Sequence, residues 1–127
     1  MSKKVMIVDD SRIAQLQLQE ILAKSEYEVV ACCQNGEDAL KTYEEIHPDV
    51  VTMDIVMPGI DGLDAAGLIL RAHPEARILM VSSLAYDDTI NEAKRIGAKG
   101  FVYKPFAQEQ IMDALQKAFA DGAEEQE

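Results

Sequence analysis

The chain is short of positive charge: 12 lysines and arginines stand against 23 aspartates and glutamates in 127 residues, for a formal net charge of −11. Such an acidic chain has no bulk attraction for a nucleic-acid backbone, and no basic stripe runs along it, which argues against direct binding of DNA or RNA. Cysteine is nearly absent. Cys32 and Cys33 are neighbours, so on a strand their side chains point to opposite faces. That argues against a disulfide scaffold, and the expectation is two buried thiols in a reducing compartment. No histidine accompanies them, so they make a poor zinc site. Long apolar runs are also missing. Met1-Ser-Lys-Lys4 leads into four apolar residues and then Asp9-Asp10, too short a stretch for a signal-peptide core or a membrane span. The expectation is a cytoplasmic protein with no membrane attachment.

What remains is ample for a core. Apolar residues make up 48% of the chain, and the length suits one domain rather than two. Short, nearly continuous apolar runs occur at Val5–Val8, Val29–Cys33, Val50–Met53, Ile78–Val81 and Phe101–Tyr103. Continuous rather than alternating runs fit strands covered on both faces, as in a parallel sheet. Helical spacing fills the intervals. Ala14, Leu18, Ile21 and Leu22 share one face, Ile111, Leu115, Ala118 and Phe119 share another, and the stretches 36–46, 62–73 and 87–97 are compatible with helix. Ser11 and Asp88 are expected N-caps, and Gly97 and Gly122 stand where helices should stop.

Five β-α units with right-handed crossovers give an α/β fold: a doubly wound five-stranded parallel sheet in the order 2-1-3-4-5, the flavodoxin-like arrangement. The expected organisation is one domain over residues 1–122, closed by a helix over 107–120, and an acidic, frayed tail over 123–127.

In such a sheet ligands bind outside the carboxyl ends of the strands. Asp9 and Asp10 follow strand 1, Asp54 ends strand 3, Ser82 and Ser83 end strand 4, and Lys104-Pro105 ends strand 5. One of Asp9 and Asp10 is expected to cap the next helix, which leaves the other unexplained. Three crowded carboxylates repel one another, and a divalent cation resolves that repulsion. Oxygen-only ligands point to Mg²⁺, with Mn²⁺ or another divalent cation as substitutes, rather than to zinc. A carboxylate can act as a nucleophile toward phosphorus, and a metal, a lysine and a hydroxyl can offset charge on the transferring group. Alone, Lys104 would read as a solvated cation. Its place after an apolar strand and before Pro105 changes that, and a cis Lys104–Pro105 bond would aim the loop.

Four segments carry a resemblance to the receiver domains of bacterial response regulators: Val5-Met-Ile-Val-Asp-Asp-Ser11, Val51-Thr-Met-Asp-Ile-Val-Met-Pro-Gly-Ile-Asp-Gly62, Ile78-Leu-Met-Val-Ser-Ser83 and Gly97-Ala-Lys-Gly-Phe-Val-Tyr-Lys-Pro-Phe106. One alone would be weak, but all four stand in order across nearly the whole chain. The resemblance implies that Asp54 accepts the phosphoryl group. Asp10, Asp54 and the backbone carbonyl of Val56 would bind Mg²⁺ directly, with Asp9 acting through water. Lys104 would contact the phosphoryl group, Ser82 would be the switch hydroxyl and Phe101 the switch aromatic. Without the resemblance, Phe101 reads as plain core.

Further expectations follow from the resemblance. A sensor histidine kinase or phosphotransfer protein, or a small acyl phosphate, would be the donor. A downstream protein would bind the helix 4–strand 5–helix 5 face, including Tyr103. The chain would act as a monomer, with transient dimerisation as the alternative. It would be a switch rather than a turnover enzyme, in two-component signalling of the chemotaxis or relay type. The alternative is the receiver half of a larger regulator. Val56 and Leu84 are apolar and cannot orient a water by hydrogen bond, so slow self-dephosphorylation is expected. A flavodoxin is disfavoured because Asp9-Asp10 would repel a phosphate without a metal. A phosphatase with an aspartate nucleophile is disfavoured because Val56 stands where a second acid is wanted.

Overall fold

A computed structural model describes residues 3–84 and 86–120. The elements alternate along the chain: β1 Lys3–Val8, α1 Arg12–Ala23, β2 Tyr27–Cys33, α2 Gly36–Ile46, β3 Val50–Met53, α3 Gly62–Ala72, β4 Ile78–Ser82, α4 Asp87–Ile96, β5 Gly100–Tyr103 and α5 Gln108–Phe119. All strands are parallel, in the order β2-β1-β3-β4-β5. This is the doubly wound, flavodoxin-like sheet that the apolar runs imply.

The runs are continuous because both sheet faces are covered. One face buries Met6, Val8, Val51, Met53 and Met80 against Ala39 and Tyr43 of α2, Ala65, Ala66 and Ile69 of α3 and Ala93 of α4. The other buries Val5, Ile7, Val50, Leu79, Val81 and Val102 against Leu18 and Leu22 of α1 and Ile111 and Leu115 of α5. Each buried Val, Leu, Ile or Met among them contributes about 1.5–3 kcal/mol of transfer free energy. The central strands therefore stand rigid up to their carboxyl ends, where apolar side chains give way to Asp9, Asp54 and Ser82.

Caps mark where most helices begin. Ser11 Oγ accepts from Ala14 N–H at 3.2 Å, Asn35 Oδ1 from Asp38 N–H at 2.8 Å, and Asp61 Oδ1 from Asp64 N–H at 2.8 Å. Ala107 N–H donates to Gln110 Oε1 at 2.8 Å at the start of α5. Asp88 is not a cap. The N-cap of α4 is Tyr86, which makes no side-chain capping bond, and Asp87 and Asp88 lie in the first turn. There they face the positive end of the helix dipole instead. Gly97 ends α4 in the left-handed region, at φ 104°. Gly122 and the tail 123–127 lie outside the described residues.

The two cysteines point to opposite faces as expected, but only Cys33 is buried and Cys32 is exposed. β2 is the outer strand next to β1, so its second face lacks full cover. Cys32 Sγ accepts from Gln19 Nε2 at 2.9 Å. No helix among the described residues is long and apolar enough to cross a membrane.

Candidate functional site

The site is built from four strand ends. Where β1 stops, Asp9 N–H donates to Cys33 O at 2.9 Å and its carboxylate Oδ1 accepts from Ser11 N–H at 2.9 Å. The helix cap itself is Ser11, so neither aspartate caps α1; Asp9 fastens the residue that does. Gln15, buried one turn into α1, donates from Nε2 to Asp9 O at 2.6 Å. Asp9 is thus sealed in place at 2% exposure, while Asp10 is exposed.

Beside it, Asp54 N–H donates to Val8 O at 2.9 Å and Asp54 Oδ1 accepts from Ile55 N–H at 2.9 Å. The first bond fixes the backbone and the second orients the carboxylate. The carboxylates of Asp9, Asp10 and Asp54 converge, with one oxygen from each lying within 4.8 Å of the others. Lys104 N–H donates to Ser82 O at 3.0 Å, which ties the start of the β5–α5 loop to β4. The lysine Nζ then reaches Asp9 Oδ2 at 2.6 Å and Asp54 Oδ2 at 3.5 Å. The Lys104–Pro105 peptide is cis.

One ammonium against three carboxylates leaves the pocket negative. Burial first, then the charge of Asp9, pushes the Asp54 carboxyl up to about 6, although Lys104 and the Ile55 N–H pull it back. The cluster contains oxygen donors alone, with no imidazole or thiolate, and it is short of positive charge. Both features fit a small hard dication such as Mg²⁺.

Ser82 is buried, and its Oγ accepts from Leu84 N–H at 3.2 Å. That leaves the hydroxyl proton able to donate. Ser83 is exposed, so of the two serines Ser82 is the inward one. Phe101 is not in the pocket. It is half-buried against the α2–α3–α4 core, its ring tilted on Tyr103 at 5.4 Å between centroids. The Val56 side chain is exposed, on the loop that follows Asp54.

The loop after Asp54 is shaped by glycines and by their partners elsewhere in the fold. The ideal Cβ of an alanine at Gly62 would lie 1.8 Å from Asp54 O, and Gly62 N–H donates to Ile55 O at 2.7 Å. Gly36 seats the side chain of Ile60, whose Cγ1 would be 2.7 Å from an added Cβ. Gly59 has φ 80° and lies under the carboxylate of Glu37. A hint existed in the glycines at 59 and 62, which flank a helix start, but their tertiary partners, Glu37 of α2 for Gly59 and the Asp54 backbone for Gly62, could not be read from spacing.

Comparison with known proteins identifies a family. The family described as response regulator receiver domain matches residues 5–116. Chemotaxis protein CheY of Listeria monocytogenes is 40% identical over 115 residues, 91% of this chain and 97% of that protein. Its counterpart in Thermotoga maritima is 40% identical over 117 residues, 92% of this chain and 98% of that one. Among solved structures, the CheX–CheY–BeF3–Mg²⁺ complex from Borrelia burgdorferi matches with a TM-score of 0.90 and 29% identity, covering 92% of this chain and 89% of that one.

Proposed function

The chain belongs to the response regulator receiver domain family, and from that premise we propose that Asp54 accepts a phosphoryl group and switches a protein-binding face. Receiver domains are phosphoacceptor switches rather than turnover enzymes. The observation that carries the proposal is the convergence of three carboxylates at the carboxyl edge of the sheet, two of which, Asp9 and Asp54, share the half-buried Lys104 ammonium. Asp9, Asp10 and Asp54, with the carbonyl of Val56, would hold Mg²⁺. When bound, the ion neutralises charge on phosphoryl oxygens. The Borrelia relative, solved as a complex with BeF3 and Mg²⁺, supports that assignment.

The chain's own residues do the rest. An Asp54 carboxylate oxygen attacks phosphorus while the bond to the donor breaks, and the electron pair leaves with the donor's imidazole nitrogen or, for acetyl phosphate, with acetate. The product is an acyl phosphate on Asp54. Lys104, already shared between Asp9 and Asp54, turns to the new phosphoryl oxygens. Ser82 donates its hydroxyl proton to them. Phe101 then repacks into the space that the β4–α4 segment leaves. Residues 1–122 act as one such unit, in the cytoplasm, with a histidine kinase or phosphotransfer protein as donor.

The output face is α4–β5–α5. A groove of about 330 Å³ between β5 and α5, lined by Phe101, Tyr103, Gln110 and Lys117 among others, supports a protein partner there. Similarity to chemotaxis proteins over almost their full length favours a chemotaxis-type role. The test is incubation with acetyl phosphate and Mg²⁺, followed by intact-mass measurement. Wild type should gain one phosphate and Asp54→Asn none. No gain in wild type, or an equal gain in the variant, would overturn the assignment.

A further inference from the structure

Residues 56–60 follow Asp54 and Ile55 in the arch between β3 and α3, and they include Val56, whose carbonyl is the proposed metal ligand. Their ends are fixed by Gly62 N–H on Ile55 O at 2.7 Å and by the packing of Gly62 on Asp54 O. Between those ends, two apolar side chains hold the arch: Met57 is buried, and Ile60 sits on Gly36. Among the described residues, residues 56–60 make one hydrogen bond, in which Ile60 N–H donates to Glu37 Oε2 at 3.3 Å.

Glu37 comes from the first turn of α2, in an earlier β-α unit of the chain. Its carboxylate lies directly over Gly59, so close that a Cβ added there would meet both oxygens, at 2.5 and 2.8 Å. Glycine suits the position because φ is 80°, and an added Cβ would also push the Glu37 carboxylate aside. The first turn of α2 thus interlocks with the arch through two adjacent contacts, Gly36 with Ile60 and Glu37 with Gly59 and Ile60.

We propose that Glu37 is a positioning residue: its carboxylate fastens the arch to α2 and so holds the Val56 carbonyl at the metal-binding carboxylates. The inference rests on the phosphoacceptor reading above and adds to it a residue outside the pocket that sets metal affinity. A backbone carbonyl is a ligand only where the backbone is placed. Releasing the arch's one hydrogen bond lets it sample positions in which that carbonyl is turned away, and metal affinity falls by the fraction of time so spent.

The test uses the full chain, with Mg²⁺ binding measured by calorimetry and amide hydrogen exchange at Ile60 measured in the metal-free protein. Glu37→Ala should weaken Mg²⁺ binding about three- to tenfold, the range of one hydrogen bond's net contribution, and speed exchange at Ile60. Glu37→Gln keeps an acceptor oxygen and should restore both to within about twofold of wild type. Unchanged Mg²⁺ affinity in Glu37→Ala would overturn the proposal, and so would a loss in Glu37→Gln as large as in Glu37→Ala, because charge rather than fastening would then be responsible. The two readings fail separately. Absence of Mg²⁺ binding in wild type sinks the phosphoacceptor assignment, whereas unchanged Ile60 exchange in Glu37→Ala sinks the fastening alone. Glu37 is exposed, so circular dichroism should show all three proteins folded.

Discussion

Two loops flank the acidic pocket, and they are held in opposite ways. The β3–α3 loop is locked to its surroundings by Gly62, which lies against the Asp54 backbone, by close contacts of Gly36 with Ile60 and Gly59 with Glu37, by a backbone bond at its base and by an N-cap at its end. On the β4 side, Ser82 Oγ accepts from Leu84 N–H, and α4 starts at Tyr86 without a side-chain cap. Of α4's ten residues, only Ala93 is buried. Under the proposed function, the difference divides the labour of a switch: Asp54 would need a fixed position, whereas the segment after Ser82 would need a second arrangement within a few kcal/mol of the first.

The largest effect expected from this contrast lies at the base of the locked loop. Gly62→Ala places a Cβ against a backbone oxygen of Asp54, which no side-chain rotation relieves. We expect a loss of about 3 kcal/mol or more in stability. Gly97→Ala, at the end of α4, meets nothing nearer than Leu70 Cδ1 at 3.8 Å and bears only the strain of φ 104°. Its cost should be about 1 kcal/mol. Urea denaturation of both variants checks the ranking. A Gly62→Ala protein that unfolds with the wild type would show that the loop is not locked.

The locked loop also holds its carboxylate in place whatever the cost in charge. Without metal, the Asp54 carboxyl lies at about 6 in the folded chain, above its ordinary value of 3.8. The folded state therefore binds the proton more tightly than the unfolded state. That advantage is complete below about pH 4 and is lost as pH rises through about 6. Asp54→Asn removes the penalty of ionisation. In EDTA at about pH 7.5 it should be more stable than wild type by about 2–3 kcal/mol, and the gain should vanish near pH 4. Mg²⁺ should stabilise wild type by mass action and leave the variant little changed. An equal gain at both pH values would mean that the shift owes nothing to charge.

How legible was this in the sequence? The sheet was, because covered strands leave continuous apolar runs, and the run at Val50–Met53 matches β3 residue for residue. So were Asp9, Asp10, Asp54 and Lys104, since parallel strands deliver their last residues to one edge. The interlock was not. Glu37 and Ile60 are 23 residues apart, and no periodicity couples a helix's first turn to a loop on another unit. Asp88 misled because acidic residues suit both an N-cap and a first turn, and only the backbone path separates the two. Cys32 misled because a covered strand and an edge strand look alike over five residues. Gln15 gave no signal at all, because a buried amide that bridges main-chain oxygens looks in sequence like any polar residue on a helix.

The smallest effect tests the loose side. Tyr86 already has the extended backbone of an N-cap, φ −81° and ψ 144°, but offers no oxygen to the first turn of α4. Its side chain is exposed at 69%, so little packing is lost on replacement. Tyr86→Ser should therefore supply the missing cap and stabilise the protein by about 1 kcal/mol. The same change should leave phosphate gain on Asp54 intact, because the acceptor loop is anchored elsewhere. It should, however, slow amide exchange across the first turn of α4 in the unphosphorylated protein. Thermal melting and exchange measured together decide the matter. A stabilised protein with unaltered α4 exchange would mean that α4 is already held as firmly as α3, and the contrast between the two loops would fall.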